Sequence, residues 1–268
     1  MSGPYETLDI RIADHIAVLT LSREARHNAI SSRMNGELPQ AWRQLEADPA
    51  VRVIVVTGAG GKAFCTGADL ADLPRTEDPA FARQLASIGW TGRQNGVTKP
   101  VIAAINGLAV GAGLHFAADS DIVLAADHAQ FVDSHVAVGL IAALEPIGLA
   151  RRMPLGAVMK LALTGGDERL SAQEAWRLGM VDEIMPLDAL MPRAMELAAS
   201  IARHSPTAVA RTRAAIWASK ELPLSAALEE GWRHILAQND HPDLAEGVAA
   251  FVEKRAPRWR DRDPGDVA

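Results

Sequence analysis

Residues 7–21 alternate apolar and polar positions twice, with Ala13, Asp14 and His15 between the two runs. A period of two on either side of a polar break predicts two strands joined by a tight turn. Residues 31–47 switch to helical spacing: Ser32 is a suitable cap, Trp42 and Leu45 continue an apolar stripe, and Asp48-Pro49 ends it. The run VRVIVVT at 51–57 is nearly unbroken and rich in β-branched residues, as in a strand covered on both faces. PVIAAI at 100–105 has the same character, and DIVLA at 121–125 and AQFV at 129–132 add further strands. Helical spacing returns at 81–95 and, briefly, in LHFAADS at 114–120. Strand and helix therefore alternate through the first two thirds, which predicts an α/β fold. From about residue 188 the chain is rich in Ala, Glu and Arg with helical periodicity and no strand signal. This predicts two regions, an α/β core over 1–195 and helices over 196–268 that pack outward or against a partner.

Composition narrows the classes. At 268 residues, 49% apolar and 22% charged, the chain suits one large globular domain with an appendage. A net charge of −6 and the lack of a basic block argue against a nucleic-acid partner. No apolar stretch reaches membrane-spanning length, and residues 1–10 lack the charge and apolar run of a signal peptide. Cys65 is the single cysteine, so no intramolecular disulfide and no cysteine-rich metal site can form. A cytoplasmic location is the expectation. Cys65 has no visible activating neighbour and reads as a small core residue.

Two segments carry candidate chemistry. Each is a buried-looking strand that ends in small residues: Gly67-Ala68-Asp69 and Gly111-Ala112-Gly113. Ligands gather at strand ends of α/β sheets, and small residues let a ligand approach the backbone. If helices start there, their first N–H groups are free, and two such groups aimed at one oxygen form an oxyanion hole. The plainer reading of either segment alone is a glycine-rich connection.

The motifs taken together are more specific. RHNA at 26–29, VRVIVVTG, KAFCTGADL, KPVIAAINGLAVGAG, SDIVLAAD, AQF, LTGG followed by Leu170-Ser171-Ala172, AWRLGMVDEI and FVEKR occur in this order over nearly the whole chain. They resemble the crotonase superfamily of enoyl-CoA hydratases and isomerases. The resemblance implies a spiral of ββα repeats followed by a helical trimerisation region, an acyl-CoA thioester as substrate, and a homotrimer or hexamer. It implies no cofactor beyond the coenzyme A moiety of the substrate. It also implies that Ala68 and Ala112 donate N–H groups to the thioester oxygen, Ala112 standing where most members have glycine. Arg26, Ala29, Lys62 and Asp69 resemble positions at the nucleotide end of coenzyme A. Phe251 and Lys254 resemble positions that reach a neighbouring subunit's ligand. Phe81 and Trp90 resemble positions bordering the acyl chamber, with a purely structural role as the alternative.

The departures concern the reaction. Hydratases of this family carry two glutamates that hold one water, and here His115 and His135 stand at those positions, twenty residues apart. The following glycine-rich turn is replaced by LIAALEPIG, which brings Glu145 and Pro146. Histidine titrates near neutrality and serves as acid or base. His115 and His135 are thus the candidate proton-transfer residues, with Glu145 third. Isomerase or hydrolase-type chemistry, including retro-Claisen cleavage of a β-diketone, is favoured over simple hydration. Zinc ligation by the two histidines with Glu145 or Asp133 ranks well below these, and no metal is expected. A catalytically silent CoA-binding or scaffold protein is the alternative from a different class. It predicts that one or both histidines turn away from the site.

Overall fold

In chain order the strands are β1 (Leu8–Ala13), β2 (Ile16–Leu21), β3 (Val53–Gly58), β4 (Ala63–Cys65), β5 (Val101–Ile105), β6 (Leu108–Val110), β7 (Ile122–Ala126), β8 (Gln130–Val132), β9 (Leu170–Ser171) and β10 (Glu183–Met185). The helices are α1 (Ser32–Ala47), α2 (Leu114–Asp119), α3 (Leu144–Leu149), α4 (Leu155–Leu163), α5 (Ala172–Arg177), α6 (Leu187–Ala202), α7 (Pro206–Ala218), α8 (Leu224–Asn239) and α9 (Pro242–Glu253). The computed structural model describes residues 5–72 and 88–262.

The two opening alternations pair as an antiparallel hairpin, with Asp14 and His15 in the left-handed region at its turn. That hairpin edges a six-stranded sheet of order β1-β2-β3-β5-β7-β10, parallel from β2 onward. A second sheet of order β4-β6-β8-β9 is parallel except for the β8–β9 pair. The chain passes from the large sheet to the small one three times, in β3 to β4, β5 to β6 and β7 to β8. Each passage is one turn of a spiral, so successive turns stack in register.

Side chains of the large sheet alternate between two packed faces. Ile54, Val56, Ala103, Ile105, Val123 and Ala125 join the core that includes Met34, Leu38 and Trp42 of α1. Val53, Val55, Ile102, Ala104, Leu124 and Ala126 join Leu190, Ala194, Ala198 and Ala202 of α6. Burial on both faces explains the unbroken apolar run at 51–57, each such side chain contributing roughly 1.5–3 kcal/mol. Helix α6 lies along the sheet and runs straight through residue 195.

Two local expectations change. Ser31, not Ser32, caps α1: its side chain accepts a hydrogen bond from the Met34 N–H. Residues 88–92 are not α-helical, and a single 3-10 turn follows at Arg93–Asn95. Residues 81–87, Phe81 included, lie outside the described residues. The strands β4, β6, β9 and β10, of two or three residues each, have too little pattern to be read from the sequence.

Helices α7, α8 and α9 leave several large apolar side chains uncovered, among them Leu228, Trp232, Phe251 and Val252. Trp217 and Trp259 are different: the Trp217 indole N–H donates to Asp121 under the Arg93 guanidinium, and that of Trp259 donates to the Arg203 carbonyl. Among the described residues no helix is long and apolar enough to cross a membrane.

Candidate active site

The small sheet assembles the site. Its register sets Cys65 beside Ala109 and Ala109 beside Phe131, so the residues just beyond β4, β6 and β8 emerge side by side. Those residues are the Ala68 segment, the Ala112 turn and the Asp133–His135 segment. Gly67, at φ +85°, shows how tight the stacking is: a β-carbon there would lie 3.0 Å from the Val110 carbonyl oxygen and 3.6 Å from the Ala112 nitrogen. Gly111, at φ +49°, would place one 3.2 Å from Cε1 of His135. Only glycine meets both demands, a left-handed backbone and no side chain.

Ala68 forms an isolated parallel bridge with Ile30, whose N–H donates to the Gly67 carbonyl and whose carbonyl accepts from the Asp69 N–H. That pattern leaves the N–H of Ala68 outside the ladder. The chain then turns at Asp69–Asp72, with no helix starting at Ala68. Ala112 sits in the 3-10 turn Gly111–Gly113, which runs directly into α2 and has no side-chain cap. N–H groups in an opening turn lack an intrahelical acceptor. Ala112 is not among the residues with positive φ, so its β-carbon is tolerated.

Four ionisable side chains converge beside these turns. His115 is carried by α2, His135 follows β8, and Glu145 sits in the first turn of α3. Oε1 of Glu145 lies 3.3 Å from Nε2 of His115 and 3.8 Å from Nε2 of His135. The shorter approach is within ion-pair range but lacks hydrogen-bond alignment, and Nε2 of His115 is buried with no hydrogen-bond partner. Nδ1 of His135 is 2.7 Å from Oδ1 of Asp133, which also accepts the backbone N–H of His135 at 3.1 Å. Asp133 is fully buried. On the far side of His115, Nδ1 lies 3.1 Å from Nε2 of Gln94, and the Trp90 ring stands edge-on to the imidazole at 5.4 Å.

The electrostatics follow from this packing. The Asp133 carboxylate raises the pKa of His135 above its ordinary value against the opposing effect of burial, and Glu145 adds to the rise. Burial pushes the Glu145 carboxyl up, but His115 and His135 outweigh it and hold the group below its ordinary value. Relative to the free groups, the centre therefore favours the ionised form of Glu145 and the protonated form of His135.

Both histidines face the same carboxylate, and neither turns away into the core. Glu145, third at sequence level, is the group the other two face. Asp133 as the anchor of His135 and Gln94 as the partner of His115 were not identified from the sequence. Gln94 has no local spacing signal, and Asp133 is only a carboxylate two positions before a histidine. Buried Cys65 has its thiol pushed up to about 12 by desolvation, which suits a core residue. Lys62 lines a cleft of about 450 Å³ with Ala25, His27 and Asn28, beside Arg26 and Ala29. The Asp69 carboxylate is held by Arg23 at 2.9 Å, and Arg23 also donates to the Ala29 carbonyl. Phe251 is 86% exposed at the end of α9, and exposed Lys254 caps that helix in a left-handed conformation.

The Enoyl-CoA hydratase/isomerase family profile matches residues 11–262. The chain belongs to this family. It is 35% identical over 254 residues to the (E)-benzylidenesuccinyl-CoA hydratase of Thauera aromatica, covering 94% of this chain and 98% of that protein. It is 34% identical to the mevalonyl-coenzyme A hydratase sidH of Aspergillus fumigatus, with 92% of each covered. Among solved structures, an enoyl-CoA hydratase/isomerase from Mycobacterium paratuberculosis is 37% identical with a TM-score of 0.86, covering 96% of this chain and all of that one. An enoyl-CoA hydratase from Bacillus anthracis superposes with a TM-score of 0.88 at 31% identity, with the same coverage. The spiral described above is thus the crotonase fold, and the enoyl-CoA hydratase/isomerase family is a family of acyl-CoA enzymes.

Proposed function

We propose that this enzyme binds an acyl-CoA thioester, holds the thioester oxygen on the N–H groups of Ala68 and Ala112, and forms its enolate by proton transfer to and from Glu145. The observation that carries this is the Glu145 carboxylate lying 3.3 Å from His115 and 3.8 Å from His135. An ionised carboxylate is the base, and proton-bearing His135, fixed by Asp133, is the acid. His115 and His135 stand where a hydratase has its two water-holding carboxylates. This centre has one carboxylate between two imidazoles, so the water is held differently or not at all. Proton transfer at the α- or γ-carbon, as in isomerisation, or activation of water for cleavage, including a retro-Claisen C–C hydrolysis, fits it better than simple hydration of a short enoyl-CoA.

A second reading is hydration of a more elaborate enoyl-CoA. It is supported by the relatives named as hydratases, and by the fact that Glu145 and His135 supply the base and the acid that water addition needs. A silent CoA binder is harder to reconcile with the site. Burying a carboxylate among imidazoles carries a desolvation cost that a scaffold has no reason to bear. Lys62 and the backbone near Arg26 and Ala29 are proposed to meet the nucleotide end of coenzyme A. The Asp69 side chain acts there indirectly, by holding Arg23. The uncovered apolar residues of α8 and α9, with Phe251 and Lys254, are proposed to meet neighbouring copies in a homotrimer or hexamer in the cytoplasm.

The test is a panel of saturated, enoyl- and β-keto-acyl-CoA esters assayed for turnover. The reading expects turnover of at least one ester, with weak or absent crotonyl-CoA hydration. Efficient crotonyl-CoA hydration by the wild type, undiminished in the alanine variants of His115 and His135, contradicts it.

A further inference from the structure

His115 has one ring nitrogen toward the reacting centre and the other toward Gln94, so whatever Gln94 presents decides which nitrogen holds the proton. The amide orientation of Gln94 is set by its own neighbours. Its Oε1 accepts the backbone N–H of Trp90 at 2.8 Å and that of Thr91 at 3.3 Å. Both donors are main-chain groups, so the oxygen must occupy that side and the NH2 group must face His115. An amide NH2 only donates. Nδ1 of His115, 3.1 Å away, therefore accepts, and the ring proton of the neutral imidazole sits on Nε2.

We infer that Gln94 is a positioning residue that locks His115 as the neutral, Nε2-protonated tautomer, so that His115 acts as a fixed hydrogen-bond donor to the centre and not as its base. Nε2 of His115 is a buried, unpartnered donor at the site, 3.3 Å from Glu145, and its hydrogen, fixed in the ring plane, is left available to an acceptor at the centre. The other groups around the ring agree. Glu145 on α3 faces Nε2 at 3.3 Å without a hydrogen bond to it. His135 meets the same carboxylate oxygen at 3.8 Å. Asp119 on α2 is engaged by the Thr91 hydroxyl. The Trp90 ring edge closes the remaining side. An Nδ1-bound proton would face the Gln94 NH2 head-on, so the doubly protonated ring is disfavoured while the amide keeps this orientation. Of two histidines at equivalent-looking positions, one is thus held neutral by an amide and the other proton-bearing by Asp133.

This assignment rests on the proposed site but is read independently of turnover. Gln94→Glu is the informative variant. It keeps an oxygen for the Trp90 and Thr91 N–H groups and replaces the donor toward His115 with an acceptor. Ring-nitrogen NMR of histidine-labelled full-length protein, with His115 identified from the spectrum lost in His115→Gln, reads the tautomer directly. In the wild type we expect an unprotonated, pyridine-type Nδ1 and a protonated Nε2 at about pH 8. In Gln94→Glu we expect Nδ1 to gain a proton, and kcat on any accepted ester to fall at least about tenfold with KM nearly unchanged. A wild-type spectrum with protonated Nδ1 overturns the inference. So does a Gln94→Glu spectrum identical to wild type. If no ester is turned over yet the nitrogen pattern is as expected, the functional proposal fails and the tautomer assignment stands.

Discussion

Replacing Asp133 with Asn tests how the site holds a charged imidazole below the surface. The native pair is short, 2.7 Å from Nδ1 of His135 to Oδ1 of Asp133, and Asp133 is fully buried. Hydrogen bonds to charged groups contribute roughly 1.5–3 kcal/mol, neutral ones about 0.5–1.5 kcal/mol. Asparagine keeps an oxygen for Nδ1–H and removes the charge, so the loss is the charged increment, roughly 1–2 kcal/mol. It applies only while His135 is protonated. The pKa of His135 is raised on folding, so its stabilisation is fully present below the unfolded histidine value and fades as pH rises through the folded value. Removing the Asp133 charge should therefore destabilise the protein by roughly 1–2 kcal/mol at about pH 6 and by clearly less at about pH 9. Urea unfolding of both proteins at matched concentration, at both pH values, reads the difference. An equal loss at the two pH values, or a larger one at the higher pH, refutes the charged-pair account.

Three further outcomes are expected. Substituting His135 by Ala should lower kcat/KM on the accepted ester by about a hundredfold, the usual scale for losing an acid–base group, and His115→Ala should cost a similar factor through loss of a fixed donor; steady-state kinetics show this, and a loss under about threefold in both removes the histidines from the mechanism. CoA esters should raise the melting temperature in a concentration-dependent way while the free acids do not; no shift with any ester near millimolar concentration argues against the CoA site. Light scattering at micromolar concentration should find a trimer or hexamer, with Trp232→Glu or Phe251→Glu shifting it toward smaller species; a wild-type monomer removes the assembly proposal.

The sequence was informative wherever one residue's type reports its surroundings. The unbroken run at 51–57 declared a strand buried on both faces, and α1 and α6 cover those faces. The small residues at 67–69 and 111–113 marked close backbone approach, and the two segments lie against each other on successive turns of the spiral. His115 and His135 stood out because the family's motif fixes their places. Roles that depend on a distant partner were not legible. The importance of Glu145 comes from α3 folding across both imidazoles. Gln94 matters because two main-chain N–H groups fix its amide, and Asp69 is held by Arg23 from another loop. Short strands such as β9 exist only through their neighbours, since two residues carry no period.

The central claim is that Glu145 moves the proton that makes the enolate. Deuterium exchange at the α-carbon of a saturated acyl-CoA, followed by mass spectrometry in heavy water, measures that step without requiring the natural substrate. The wild type should wash deuterium into the α-position, and Glu145→Gln, which keeps the shape and removes the base, should slow this by about a hundredfold or more with the CoA-induced thermal shift retained. Exchange by Glu145→Gln at the wild-type rate, with the ester still bound, contradicts the account.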